Sequence, residues 1–180
     1  SETVRITGDG RVGIGDNAPL TPLSFAAVNG NKISLSGNNI NSHYGFGIQN
    51  SLLQMYAPGA GDDIAFGYGS SASFFERMRI KGNGNVGIGT TNPNAPLQLA
   101  NTIANRKIVL YDLNNNDHQY YGLGVNGGLL RYQVDATGAD HAFFAGVNAA
   151  SSVELMRIKG NGNVGIGNAD PVYRLDVSGR

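Results

Sequence analysis

The stretch KGNGNVGIG occupies Lys81–Gly89 and returns letter for letter at Lys159–Gly167. Within it Gly82, Gly84 and Gly87 spell G-x-G-x-x-G, the spacing of a dinucleotide-binding turn. That chemistry needs a strand before the glycines and a helix after them, because the helix N-terminus supplies the N–H groups that hold a pyrophosphate. Met78-Arg79-Ile80 reads as the strand, but IGTTNPNAP (Ile88–Pro96) has two prolines, a glycine and no amphipathic period. The acidic residue expected about 20 positions on is replaced by Lys107. A nucleotide cradle does not fit.

A hairpin fits better. Asn83-Gly84 is a strong turn signal between alternating apolar residues, and Asp9-Gly10 stands at the matching place in TVRITGDGRVGIG (Thr3–Gly15). A three-residue loop, Gly82-Asn83-Gly84, sets Ile80 opposite Val86 and Met78 opposite Ile88. The first copy then sets Ile6 opposite Val12 and Val4 opposite Ile14. A one-residue slip would scramble both faces. Arg77 and Arg79 fall opposite Gly89 and Gly87, where the missing side chains leave room for another backbone or an arginine stem.

The repeat extends well beyond the hairpin. Glu76–Leu99 matches Glu154–Val177, Thr3–Phe25 is a looser copy, and the spacing is 74 residues from Gly8 to Gly82 and 78 from Gly82 to Gly160. KISL (Lys32–Leu35) answers KIVL (Lys107–Leu110), and HYGFGIQNSLL (His43–Leu53) answers HQYYGLGVNGGLL (His118–Leu130). This pairing sets His43 and His118 in equivalent places. The expected organisation is the end of a preceding repeat over 1–15, one repeat domain over 16–89, a second over 90–167, and the start of a connecting segment over 168–180. Apolar runs and alternations bounded by Gly and Asn give about six short strands per unit and an all-β fold. Only the Ala-rich stretch Asp135–Val153 has room for a helical turn.

Composition narrows the classes. Lys plus Arg and Asp plus Glu each number 13, so no basic excess points to nucleic acid or an anionic membrane. Charged residues make up 14% of the chain, below the roughly 25% of ordinary soluble domains, and glycine supplies 27 positions. There is no cysteine, hence no disulfide framework or thiolate site. No apolar run approaches the roughly 20 residues that span a bilayer. The opening SETVRITGDG, with neither initiator Met nor signal peptide, reads as the interior of a longer protein.

MRIKGNGNVGIGTTNP…LQL (Met78–Leu99) and GNVGIGNADPVYRLDVSG (Gly162–Gly179) resemble a repeat of trimeric fibre proteins. These are phage tail fibres and related bacterial surface adhesins, including the mosaic trimeric adhesins of predatory bacteria. The resemblance covers Met78–Leu99 and Met156–Gly179 well and Val4–Phe25 loosely. It implies two tandem small β-rich domains, sandwich- or prism-like, in an intertwined homotrimer on a virion tail or cell surface. Thinly cored units of about 75 residues would also gain from closed symmetry, which removes strand edges. The implied partners are two further copies of the chain and a cell-surface glycan or other envelope component, with no cofactor and no membrane insertion.

The candidate chemistry is non-catalytic. DLNNND (Asp112–Asp117) has alternate Asp and Asn like the start of a calcium loop, but Asp117 stands where Gly belongs and Leu123 where Glu belongs. It reads as an Asx-rich hairpin tip. The three histidines, His43, His118 and His141, lack metal-site spacing. No nucleophile elbow or carboxylate pair appears. Tyrosines beside Asn, Asp and His suit sugar recognition, because the ring stacks on C–H faces while polar neighbours take hydroxyls. NNNDHQYY is the best such cluster, giving Asn116, Asp117, His118, Tyr120, Tyr121 and Tyr132 as candidate ligand contacts in one unit and His43 and Tyr44 in the other. The expected function is adhesion to a surface glycan. The alternatives are a passive shaft or spacer and a glycan-degrading fibre domain.

Overall fold

The computed structural model describes residues 3–40 and 42–178; Gly179, which closes the last copy of the motif, lies outside them. The regular structure is all β, with no helix among the described residues and therefore none able to cross a membrane. The chain divides into two compact units, Ser1–Ala100 and Asn101–Arg180.

The first unit opens with a three-stranded sheet of β1 (Val4–Ile6), β2 (Val12–Ile14) and β3 (Leu23–Phe25). A meander follows, built from β4 (Gly30–Asn39), β5 (Ser42–Gln49) and β6 (Leu52–Tyr56). A four-stranded sheet closes the unit, with β7 (Ile64–Ser70), β8 (Ser73–Ile80), β9 (Val86–Ile88) and β10 (Leu97–Leu99) in the order β10-β9-β8-β7. The second unit has the same meander, β11 (Ala104–Tyr111), β12 (Tyr121–Asn126) and β13 (Leu129–Gln133). It has the same four-stranded sheet, β14 (His141–Asn148), β15 (Ser151–Ile158), β16 (Val164–Ile166) and β17 (Leu175–Val177). The span β4–β10 thus holds seven strands where about six were expected. The additional one is the short β10, which pairs in parallel with β9. Asp135–Val153 holds β14 and the start of β15, with one hydrogen-bonded turn over Ala136–Ala139 and no helix.

The hairpin register follows the side-chain alternation. Met78 pairs with Ile88, Arg79 with Gly87 and Ile80 with Val86, and the copies at β1–β2 and β15–β16 match it. The Lys81 N–H donates to the Asn85 carbonyl at 2.8 Å, and Gly84 takes the left-handed φ of 90° that closes the loop. The other two glycines of the motif make room for backbone, not for an arginine stem. A Cβ on Gly82 would overlap the Ala60 carbonyl oxygen, and one on Gly87 the Thr90 carbonyl oxygen. The second overlap explains the sequence after the motif. The chain doubles back over Gly87 through the buried Pro93, and the Val86 N–H donates to the Pro96 carbonyl at 2.9 Å. The parallel connection Gly89–Pro96 is therefore shorter than the usual dozen residues or so.

A β-bulge decides what locks each hairpin. Phe66 pairs with Met78 but Gly67 with Glu76, so β8 gains one residue at Arg77. The shift brings Glu76 and Arg79, three apart, onto one face. Arg79 makes a bidentate pair with Glu76 at 3.0 and 2.5 Å and a third bond to Asp63 at 2.5 Å. Asp63 also accepts the Gly82 N–H at 3.0 Å, tying the hairpin loop to the chain that enters β7. Asp140, Glu154, Arg157 and Gly160 repeat the lock in the second unit, behind a bulge at Leu155.

These contacts have a pH signature. The Gly82 N–H and then Arg79 hold the Asp63 carboxyl below its ordinary value; the Gly160 N–H and Arg157 do the same for Asp140, and Arg157 for Glu154. A carboxyl whose folded pKa is depressed adds stability above its unfolded pKa of about 3.9 and loses it as pH falls through the folded value. The melting temperature should hold above about pH 5 and fall progressively below about pH 4. Asp140→Asn should lower the plateau and flatten the acid limb. A wild-type melting temperature flat down to pH 2 would contradict the lock.

Each sheet has one apolar face, and it is left open. On the four-stranded sheet Phe66, Met78, Ile80, Ile88, Leu97 and Leu99 share a face by register, with Leu97 59% exposed. Phe143, Met156, Ile158, Val164, Ile166 and Leu175 form the counterpart in the second unit, with Phe143 56% exposed. Among the described residues Tyr120 is the one large apolar side chain fully buried. The chain exposes 12,698 Å², whereas even two separate compact bodies of half its mass would expose about 10,000 Å² together.

Candidate functional site

The register corrects the equivalence of His43 and His118. Gly45 pairs with Tyr56 and Gly122 with Gln133, so His43 corresponds to Tyr120 and Tyr44 to Tyr121. The two residues that lengthen the second unit lie in the loop before β12, and they carry His118 out of register. His43 and Tyr120 are each inside their own unit, at 4% and 0% exposure. The Tyr120 hydroxyl donates to the Asn105 carbonyl, and the Arg106 guanidinium lies 5.8 Å from its ring centre. Tyr120 therefore supports the loop from beneath and offers no surface to a ligand.

The loop over Tyr120 is shaped by Asx turns. Asp112 accepts the N–H groups of Asn114 and Asn115 at 3.1 and 2.8 Å and is paired with Arg106. Asn116 accepts those of His118 and Gln119, both at 2.9 Å. Backbone and arginine thus occupy the oxygens that a calcium loop would need. Asp117 and His118 are left exposed at the tip.

His118 opens onto a cavity of about 400 Å³ lined also by Gln133, Asp135, His141, Lys159 and Gly160. Gln133 donates to the His118 carbonyl at 3.1 Å, fixing the loop against the end of β13. Asp135 accepts the Tyr121 hydroxyl and holds that phenol above its ordinary pKa. Lys159 reaches Asp170 at 2.7 Å, and Asp140 accepts the Gly160 N–H at 3.0 Å. The cavity therefore has two imidazoles, a carboxamide, a carboxylate and an ammonium on a fixed frame, the mixed polar lining that orients a hydroxylated ligand.

Of the residues marked from sequence, Asn116, Asp117 and His118 lie on one loop, and His118 enters this cavity. Tyr121 meets the cavity only through Asp135. Tyr132 lies on the apolar face of the meander, 67% exposed, opposite Leu123. Tyr44 repeats the Tyr121 arrangement in the first unit, donating to Asp62 at 2.8 Å. Gln133, Asp135, His141 and Lys159 were not singled out as a group, because they converge from separate elements and share no motif. Comparison with known protein families and with curated proteins finds no match to the chain.

Proposed function

We propose that this chain is a non-catalytic segment of a homotrimeric surface fibre that adheres to a cell-surface glycan, its two tandem repeats forming prism-like intertwined domains. The observation that carries the reading is the open apolar face of each sheet. A single chain with such faces would be poorly soluble and thinly cored, whereas three copies around an axis cover them. The surface in excess of compact bodies is the size that obligate interfaces bury. The carboxylates Asp63, Glu76, Asp140 and Glu154 are engaged with arginine and backbone, which supports a structural and not a catalytic use of them. In the second unit the loop Asn116-Asp117-His118 and the cavity beside it supply the glycan contact.

Light scattering at micromolar concentration should give three times the 18.9 kDa chain mass. On a glycan array the trimer should bind, and His118→Ala should weaken at least tenfold the binding of the glycans held by the second unit, without changing the mass. Absence of binding at high valency would favour a spacer. Release of reducing sugar would favour the enzyme.

A further inference from the structure

We propose that the first unit carries a second saccharide site, on the face of the β4–β6 meander opposite its apolar face, and that it takes an uncharged oligosaccharide. The proposal rests on the adhesive trimer described above, in which the apolar face is covered and this face is turned outward. Pairing sets Asn31 and Gln54 opposite Gly47, with Gln49 two residues further along β5 on the same side. His43, Gly45 and Tyr56 share that side.

A cavity of about 520 Å³ opens here, lined by Asn29, Gly30, Asn31, Gln49, Asn50 and Gln54. Every side chain in that wall is a carboxamide. A carboxamide offers a donor and an acceptor side by side, which matches the vicinal hydroxyls of a sugar. A carboxylate, sulfate or phosphate would find no countercharge in the wall and would lose its water. Asn29 donates to Asn50 at 2.7 Å, while the side-chain amides of Gln49 and Gln54 have no hydrogen-bond partner among the described residues. The nearby ammonium of Lys32 is engaged by the Ala26 and Val28 carbonyls at 2.7 and 2.5 Å.

The second unit shows what this face looks like when closed. Asn126 and Arg131 stand at the registers of Gln49 and Gln54, and they satisfy each other. Arg131 donates to Asn126 at 3.0 Å, and Asn126 to Asn105 at 2.5 Å. The hairpin tip differs too. The second unit uses Gly127-Gly128, with Gly128 at a φ of 71°, whereas the first keeps Asn50-Ser51 with Ser51 at 59°. A serine held in the left-handed region is strained relative to glycine.

A neighbouring depression of about 380 Å³ shares Asn31 and includes His43 in its wall. Asn31 donates to the Ile40 carbonyl at 2.9 Å, so its oxygen faces Tyr56, which donates to it at 3.0 Å. The Tyr56 oxygen, 2.8 Å from His43 Nε2, must then accept, and the proton is on Nε2. Nδ1 is, among the described residues, the one buried side-chain polar atom without a partner. The Tyr56 ring stands edge-on to His43 at 5.1 Å and packs beside Gly45 and Gly47.

The test uses the full chain and isothermal titration with neutral trisaccharides of glucose, galactose, mannose and N-acetylglucosamine, beside sialylated and uronate-bearing counterparts. At least one neutral trisaccharide should bind. Gln49→Ala and Gln54→Ala should each weaken it at least fivefold and together at least twentyfold, with melting temperature and mass unchanged. His118→Ala should leave this binding intact. Neutral binding that survives the double substitution, or is abolished by His118→Ala, overturns the second site and leaves the adhesive reading standing. Tighter binding of the charged counterparts overturns the preference and with it the proposal. If no glycan binds the wild type, the adhesive reading falls and this site with it.

Discussion

Leu97→Glu is expected to convert the proposed trimer into single chains. Leu97 lies on the edge strand of the four-stranded sheet, on its apolar face, and is paired with Val86 and 59% exposed in one chain. Within that chain the carboxylate would remain hydrated, so the substitution costs the isolated unit little. In a trimer built on this face the same carboxylate is repeated three times around the axis and loses its water. An unpaired buried charge costs about 3–5 kcal/mol, and mutual repulsion adds to it, which is enough to undo a micromolar assembly. Sedimentation should therefore show a fall from three chains to one. The circular dichroism of the product should remain that of a β protein at low temperature. Gln98→Glu, one residue along and on the opposite face, should leave the mass unchanged. Retention of the full mass by Leu97→Glu would show that this face is not the subunit interface.

The residues that specify the hairpins were legible because turn chemistry and alternation are local. Asn83-Gly84 and the Met78/Ile80 against Val86/Ile88 pattern fix the register without help from the rest of the chain. The Asp63–Glu76–Arg79 lock was not legible. On an undisturbed strand Glu76 and Arg79 would lie on opposite faces, and only the bulge at Arg77 unites them. Nothing in FFERMRI announces a bulge, since no glycine marks it. The equivalence of His43 with Tyr120 was hidden in a different way. Matching the two histidines by letter placed the inserted residues after His118, whereas the sheet register gives the place of His43 to Tyr120.

The candidate site was half legible for a related reason. Asn116, Asp117 and His118 are consecutive, so composition pointed to them. Their neighbours Gln133, Asp135, His141 and Lys159 come from β13, the turn after it, β14 and the residue that follows β15. Sequence carries no trace of that meeting until the register of the sheet is known. Tyr120 and Tyr121 show the limit of reading aromatics by company alone. They are adjacent, yet strand alternation sends one into the core beneath Arg106 and turns the other to Asp135.

Gly165→Ala is expected to destabilise the second unit by about 3 kcal/mol, an overpacking cost at the upper end of the usual range. A Cβ there would overlap the backbone carbonyl oxygen of Asn168, and the Pro171 ring would stand 3.2 Å away. Neither neighbour can yield cheaply. The carbonyl belongs to the tight connection into β17, and Pro171 is buried. Relief requires β17 to lift from β16, which breaks the bonds from Val164 N–H to the Arg174 carbonyl at 3.0 Å and from Ser178 N–H to the Ile166 carbonyl at 2.9 Å. Gly87→Ala should have a similar effect in the first unit, because Thr90 and Pro93 stand in the same relation to it. Gly146→Ala is the matched control, with an ordinary φ and open space around the new methyl. A loss of 3 kcal/mol lowers the melting temperature of a unit this size by roughly 10–20 °C. Hydrogen exchange should locate the loss at Leu175–Val177 before the rest of the sheet. An unshifted melting temperature for Gly165→Ala would mean that the recurring VGIG marks something other than the close passage of the chain over its own strand.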